Sequence, residues 1–561
     1  MARDMRRQTL FLLLILMLAA ALRFYDLTYQ SLWGDEAHSI YNAKGVDLHF
    51  MSAPLVDATH SMFVNPHPGA LDTILACIRN EGTPPLYFLA LAGWIVALGS
   101  SDLAVRSLSA IFGVLGVAAF FLLGRSIFRD SRRALLGALF VAASPLNIYF
   151  SQEARAYMLA NLLATSCSWL LLCAVSRRAR VAPWVAYGLA ALAICYTHYF
   201  AALVLGAHLL YLLVHERQSL RPWLLTMWGV GLLFLPWYLA GLSTQMAVWT
   251  GYFAATRSSA GILLSGTAAG LRYILDSLVL GPMYSRAMIG PATKLSIEAM
   301  WLALVAIGAI RLLRAGDKKP VTFSLLLTLV PLAVITSFGL KNGTLWYMNP
   351  RYHIWESSGL FLLAAASITS FRRAAVRAVL ACAICLTSLA AAPYHFYPMV
   401  FHSAYVKPDF RGAAKVITNS QEPRDVIVVN IPGHMIPLNI YYRGGLRQVG
   451  MGESETYKLR ERLDYYTRDR DRVWLLVGLG TLGYGDEKIT AFLDRRYPQK
   501  SVWDLPGLRL TLYSRGGPGA GTGTRRGETA NVSYQGHTWA EGQRGSGSRA
   551  SEPQQCCTEA A

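Results

Sequence analysis

The sequence predicts a polytopic α-helical membrane protein that carries a small α/β domain near its C-terminus. Three observations lead there. Of 561 residues, 54% are hydrophobic and only 15% charged, where a soluble domain has about 25%, and the mean hydropathy is +0.34. Apolar runs approaching the roughly 20 residues that a bilayer requires recur from Thr9 to about residue 392. From about 405 to 515 the pattern changes to short β-rich runs alternating with amphipathic helical ones.

The first span runs from Thr9 to about Tyr25, behind Arg3, Arg6 and Arg7. Ala19-Ala20-Ala21 gives it the small residues of a signal peptide. Because many spans follow, it is expected to be an uncleaved first helix. Residues 26–83 form a long polar loop, and Pro84-Pro85 opens an apolar stretch to Gly99. Further spans are expected near 105–123, 134–150, 157–175, 183–199, 200–214, 223–243, 295–313, 321–339, 352–370 and 374–392, about eleven in all. Alternate links are basic: Arg125 to Arg133, Arg177 to Arg180, Arg217 and Arg221, Arg311 to Lys319, and Arg372 to Arg377. Cytoplasmic placement of these links gives one consistent topology. In that topology the stretch 86–99, which is also short, does not cross; it lies at the outer interface. The first outer loop is then 26–104, and everything after about 393 is outside. Residues 261–281, with Arg272 and Asp276, read as an interfacial helix.

In the C-terminal part, Asp425–Asn430, Val473–Val477 and 507–514 read as strands, and 409–419, 455–468 and 486–496 as helices. The expected domains are therefore 1–400 in the membrane, an α/β domain at 401–515, and a disordered tail at 516–561 rich in Gly, Ser, Thr and Arg. Gly478-Leu479-Gly480 is too short for a dinucleotide-binding loop.

The net charge of +19 would suggest nucleic acid in a soluble protein. Here the basic residues fall in short loops between apolar runs, so membrane orientation explains them, and no nucleic-acid partner is expected. Cys382 and Cys385 have the spacing of a redox or zinc pair, but no second pair lies nearby, and small apolar helix residues are the better reading. Gly113 and Gly116 read as helix-packing positions.

The distinctive polar motifs all fall on the expected outer side. Asp35, Glu36 and His38 follow the first span, and Glu81 closes the loop. Ser144–Phe150 runs into Ser151-Gln152-Glu153-Ala154-Arg155-Ala156-Tyr157; Tyr196-Thr197-His198-Tyr199 ends a span; Asn349-Pro350-Arg351-Tyr352 begins one. Carboxylates at a bilayer edge are costly unless they perform chemistry or bind a cation. Clustering on one face suits a lipid substrate whose head group lies at that face.

At SLWGDEAHS, TPPLYFLALAGW, SDLAVRSLSAIFGVLGVAAFFLLGRSIF, SPLNIYFSQEARAYML, YTHYF and NPRY the sequence resembles the GT-C superfamily of polytopic glycosyltransferases. The branch it resembles is glycosyltransferase family 39, with the protein O-mannosyltransferases and the lipid A aminoarabinose transferase. The pieces come in the family's order over about 20–360. The resemblance implies a GT-C fold with outer juxtamembrane helices, and transfer of a monosaccharide from a polyprenyl-phosphate carrier to a glycan, lipid or protein acceptor. It places the reaction outside the cell membrane.

Asp35 matches the family's catalytic aspartate and is the candidate general base; the competing reading is a helix N-cap after Gly34. Glu36 is counted with it as catalytic, against orienting a neighbour or facing water. His38, three residues on, shares a helical face with Asp35 and is a candidate for acceptor or phosphate contact. Glu81 and Glu153 are candidates for substrate or metal binding. Many relatives carry His before the two prolines, where this chain has Thr83, so a divalent ion is allowed and not required; no cofactor is expected with certainty. Arg155 and Arg351 are phosphate candidates, Arg351 foremost because a guanidinium holds two phosphate oxygens at once. The bland alternatives are a Glu153–Arg155 ion pair and a snorkelling Arg351. Tyr157 and His198 complete the substrate-binding set, with Gln152 weaker. Rival functions are a lipid-sugar flippase, a polysaccharide ligase using a diphosphate-linked donor, and a glycan receptor acting through the C-terminal domain.

Overall fold

A computed structural model describes residues 2–53, 55–255, 258–282, 290–390, 396, 407–452, 458–479, 486–516 and 525–526. The chain divides into two units. The first takes in Met1–Tyr29, Ser39–Leu48 and Asn65–Tyr405; the second takes in Gln30–His38, His49–Val64 and Val406–Ala561.

The first unit is helical. Its helices are α1 (Ala2–Phe24), α2 (Gly34–Ala43, of which Gly34–His38 belong to the second unit), α3 (Ala70–Asn80), α4 (Leu86–Leu98), α5 (Asp102–Phe128), α6 (Ser131–Ala143), α7 (Pro145–Ser151), α8 (Tyr157–Ser176) and α9 (Val181–Cys195). They continue with α10 (Val204–His215), α11 (Leu220–Trp237), α12 (Ser243–Ala255), α13 (Ala260–Leu280), α14 (Pro291–Arg314), α15 (Lys318–Asn342), α16 (Ser357–Thr369) and α17 (Ala374–Ala390).

Local chemistry sets several of these ends. Arg23, fully buried, donates from its guanidinium to the carbonyls of Ala19, Val141 and Ala142, which satisfies the open C-terminal carbonyls of α6. Ser144 then caps α7, its Oγ accepting from Asn147 N at 3.4 Å, and Pro145, which has no N–H, starts the new helix after a 57° bend. Pro236 removes a donor near the end of α11, and the chain relaxes into a π-helical turn at Tyr238–Leu242 before α12.

Among the described residues seven helices are long and apolar enough to cross a membrane, or eight if the bent α6–α7 pair is one span. Five shorter apolar helices, α4, α9, Ala201–His215, Ile354–Thr369 and α17, occupy the remaining expected runs. The sequence count of about eleven needs these shorter helices, and polar turns explain their length. Tyr196–Phe200 interrupts the expected 183–199 and 200–214 spans, and one-turn helices at Pro350–Tyr352 and Ile354–Glu356 precede α16. At 13 residues α4 is about 20 Å long, short of a bilayer core of about 30 Å. Residues 261–281, read as an interfacial helix, do form a helix, α13, and it meets the length and hydropathy of a span. Its two charges are paired with α14: Asp276 with Lys294, and Arg272 with Glu298 at 4.0 Å.

Small residues set close helix contacts. A side chain at Gly308 would strike the backbone of Leu363, and one at Gly359 the backbone of Ser324, so α14, α15 and α16 approach through glycine. Gly113 faces the side chains of Ser151 and Arg23, whereas Gly116 faces open space; only the first is a packing position.

The second unit is an α/β sheet. Its helices are α18 (Phe410–Ser420), α19 (Met435–Tyr441), α20 (Leu459–Thr467) and α21 (Asp486–Arg496). Its strands are β1 (Leu55–Ala58), β2 (Val426–Val429), β3 (Arg447–Met451), β4 (Arg472–Gly478), β5 (Gln499–Leu505), β6 (Leu508–Ser514) and β7 (Arg525–Arg526), in the order β1-β3-β2-β4-β6-β5-β7. The centre, β3-β2-β4, is parallel, as helical crossovers dictate. β2 is buried along its whole length, which is why it reads as an uninterrupted apolar run. β5 and β6 form a hairpin turning at Gly507, whose φ is +66°. β1 comes from the first loop and pairs antiparallel with β3, Val56 opposite Gly450, and Arg447 grips Asp57, Nε to Oδ1 at 2.8 Å. The expected disordered tail, beyond Gly516 and the two residues of β7, lies outside the described residues.

His434 packs between the ring of Phe410, 5.5 Å away, and the backbone of Gly478. Its Nδ1 is buried with no hydrogen-bond partner. Burial pushes its pKa down to about 4, below the ordinary 6.5. The unfolded chain therefore takes up a proton that the folded unit refuses, so stability is full above about pH 6.5 and falls as pH drops through 4, by about 3 kcal/mol. Limited proteolysis of the full chain between pH 7 and 4.5 should show segment 407–516 becoming susceptible on acidification, and His434→Phe should flatten that response.

Candidate active site

In the second unit Asp35 and Glu36 lie in the first turn of α2, where the helix dipole favours negative charge. The Ala37 amide donates to the Trp33 carbonyl at 2.9 Å, so the helix begins from Trp33. Asp35 is inside the first turn and is not its cap. Asp35 and His38 are partly exposed, and Glu36 is fully buried, which removes the water-facing reading of Glu36. Its Oε2 accepts from Lys407 Nζ at 3.1 Å.

In the first unit the separate motifs of the sequence meet. The Leu86 amide, following Pro84-Pro85, donates to the Tyr196 carbonyl at 2.9 Å. Tyr199 donates its hydroxyl to Gly82 O at 3.1 Å and accepts from Trp237 Nε1 at 2.8 Å. Glu81, partly buried, closes α3 just before Gly82. The imidazole of His198 lies among the rings of Trp355 at 5.1 Å, Tyr157 at 5.8 Å and Tyr352 at 6.0 Å. Arg155 lies over Tyr157 at 5.7 Å and donates to Ser39 Oγ at 3.3 Å; Arg351 lies over Tyr352 at 5.3 Å. Aromatic faces of this kind hold guanidinium planes by cation–π attraction. Tyr157 is buried, and so is Glu153, two residues before Arg155.

The turn that carries Arg351 is stiff. Asn349 Oδ1 accepts from the Arg351 amide at 3.2 Å. Below it, fully buried His353 contacts Glu356 Oε1 through Nδ1 at 2.8 Å and the Tyr347 carbonyl through Nε2 at 2.9 Å. Gln152, a weak binding candidate from sequence, has a structural role: its amide donates to the carbonyls of Arg23 and Tyr25 at the end of α1. Among the described residues no group of three or more His, Cys, Asp or Glu is placed to hold a metal ion.

Seven-tenths or more of each chain is shared with solved membrane transferases. ArnT from Cupriavidus metallidurans, bound to undecaprenyl phosphate, aligns over 89% of this chain and 97% of its own with a TM-score of 0.56 at 14% identity. The chain has the fold of the GT-C glycosyltransferases. The archaeal oligosaccharyltransferase AglB from Archaeoglobus fulgidus, in complex with an inhibitory peptide and a dolichol-phosphate, shares that GT-C fold with a TM-score of 0.52 at 12% identity, over 87% of this chain and 71% of its own. Residues 82–240 match the family model of dolichyl-phosphate-mannose-protein mannosyltransferases. No curated protein sequence matches the chain significantly. The GT-C resemblance read from the sequence motifs is thus borne out.

Sequence reasoning did not single out Ser39, Trp355, the His353–Glu356 pair or Lys407. The pair left a signal, His and Glu three apart directly after NPRY. Lys407 left none: one lysine before a Pro-Asp helix start.

Proposed function

We propose that this protein is an integral-membrane glycosyltransferase that moves a monosaccharide from a polyprenyl-phosphate carrier to an acceptor hydroxyl on the extracytoplasmic face of the cell membrane. Asp35 takes the hydroxyl proton as the acceptor oxygen attacks the anomeric carbon. The bond from that carbon to the phosphate oxygen breaks, and the released polyprenyl phosphate keeps the electron pair. Arg351 and Arg155 hold the departing phosphate. Glu36 supports Asp35. Glu153 contacts the acceptor, Glu81 the carrier head group and His38 the acceptor or the phosphate, with Tyr157 and His198 completing the substrate-binding set.

The observation that carries this reading is that Arg155 and Arg351 stand over Tyr157 and Tyr352, two rings that both pack against His198, within a GT-C fold. Two like charges brought to one partly buried place favour an anion there, and a phosphate has the oxygens to take both forks. A bound undecaprenyl phosphate in ArnT and a dolichol-phosphate in AglB support the carrier class.

The test uses the purified full chain in nanodiscs with labelled sugar on an undecaprenyl or dolichyl monophosphate. Release of free carrier phosphate and glycosylation of an acceptor fraction are the expected result. Turnover with only a diphosphate-linked donor would make the protein a ligase. Movement of intact lipid between leaflets without bond cleavage would make it a flippase. Mass spectrometry of membrane glycoconjugates with and without the gene then identifies the acceptor.

A further inference from the structure

We propose that Lys407 is a positioning residue that sets the direction of the Asp35 carboxylate through Glu36, and that the second unit is therefore part of the catalytic apparatus. The inference rests on the reading of Asp35 as general base.

Glu36 is completely buried. A buried carboxylate is tolerated as an ion only with a close opposite charge. Lys407 supplies one: Nζ lies 3.1 Å from Oε2, and the lysine side chain is only 10% exposed. The ammonium also lies 5.9 Å from the ring centroid of Trp33, the residue from which α2 starts. Successive helical residues point about 100° apart. Fixing the direction of Glu36 therefore fixes that of Asp35, one residue earlier on the same turn.

Lys407 is itself anchored. Asp409 caps α18, its Oδ1 accepting from Gly412 N at 2.9 Å, and its own amide donates to Pro506 O at 2.8 Å, at the β5–β6 turn. Pro408 packs on Gly507 in that turn. The segment before Asp35 is tied to the same place. Lys407 N donates to Gln30 Oε1 at 3.4 Å, Arg411 N to Ser31 Oγ at 3.2 Å, and Leu32 N to the Tyr441 hydroxyl at 2.8 Å. The ionic contact is thus the side-chain end of a backbone attachment that runs from the sheet to the start of α2.

The experiment measures kcat and KM of the full chain for Lys407→Met, Lys407→Arg, Glu36→Gln and the Lys407→Met/Glu36→Gln double variant, with hydrogen exchange over residues 30–43. Lys407→Met should lower kcat at least tenfold, leave the donor KM within about twofold, and speed exchange in 30–43. Lys407→Arg should recover most of kcat. The double variant should lose less than the product of the two single losses, because the second change removes a charge the first had stranded. Unchanged kcat and unchanged exchange in Lys407→Met would overturn the proposal, and so would losses that multiply independently. Asp35→Asn separates the two readings. If it retains activity, the general-base assignment fails; if it is inactive while Lys407→Met is fully active, only the positioning role fails.

Discussion

Asp35→Asn is expected to cut sugar transfer by about 10³-fold, within the range lost when a general base is removed, with no loss of fold. Asparagine has the size and shape of aspartate and leaves no cavity. Asp35 is partly exposed in the first turn of α2, so losing its favourable place at the helix N-terminus costs only about 0.3–1 kcal/mol. Single-turnover assays at saturating donor, beside thermal unfolding in detergent, separate chemistry from stability. Transfer that survives in Asp35→Asn would take the base role from this residue.

Arg351→Ala is expected to lower kcat/KM by 10²–10³-fold, about 3–4 kcal/mol, mainly through weaker binding of the carrier. Its turn is held by Asn349 and by the buried His353–Glu356 pair, so the guanidinium is presented from a fixed backbone and loses little freedom on engaging phosphate. Arg351→Lys should recover only part of the loss: a lysine keeps the charge but not the planar fork that meets two oxygens. Binding of undecaprenyl monophosphate to the detergent-solubilised protein checks this directly. Equal affinity in wild type and Arg351→Ala would leave Arg351 an interface arginine.

Much of the fold was readable because its signals are local. Apolar runs gave α1, α5, α8, α14 and α15, and the alternation of β2, β4 and β6 with α18, α20 and α21 gave the α/β character of the second unit. What escaped depends on partners distant in the chain. β1 is a four-residue segment with one exposed position, and only its pairing with β3 makes it a strand. The ends of α9, α10 and α16 were overrun because a hydropathy window counts Tyr, Thr and His at turns as extensions of the apolar runs beside them. At the site, motif resemblance named residues that the first unit gathers around His198. It could not reveal that Glu36 is fully buried, nor that a lysine some 370 residues later pairs with it, because charge pairing across such a distance leaves no periodicity.

The edge strand β1 also carries a consequence for biosynthesis. Asp57 and its partner Arg447 are 390 residues apart. The ribosome makes β1 early and its template β3 only after every hydrophobic segment up to α17 has emerged. Until then the β1 stretch waits as an unpaired segment, exposed to proteases and to mispairing. Completion of the sheet is thus a late event in maturation, and a nascent chain stalled before residue 447 carries β1 without its partner.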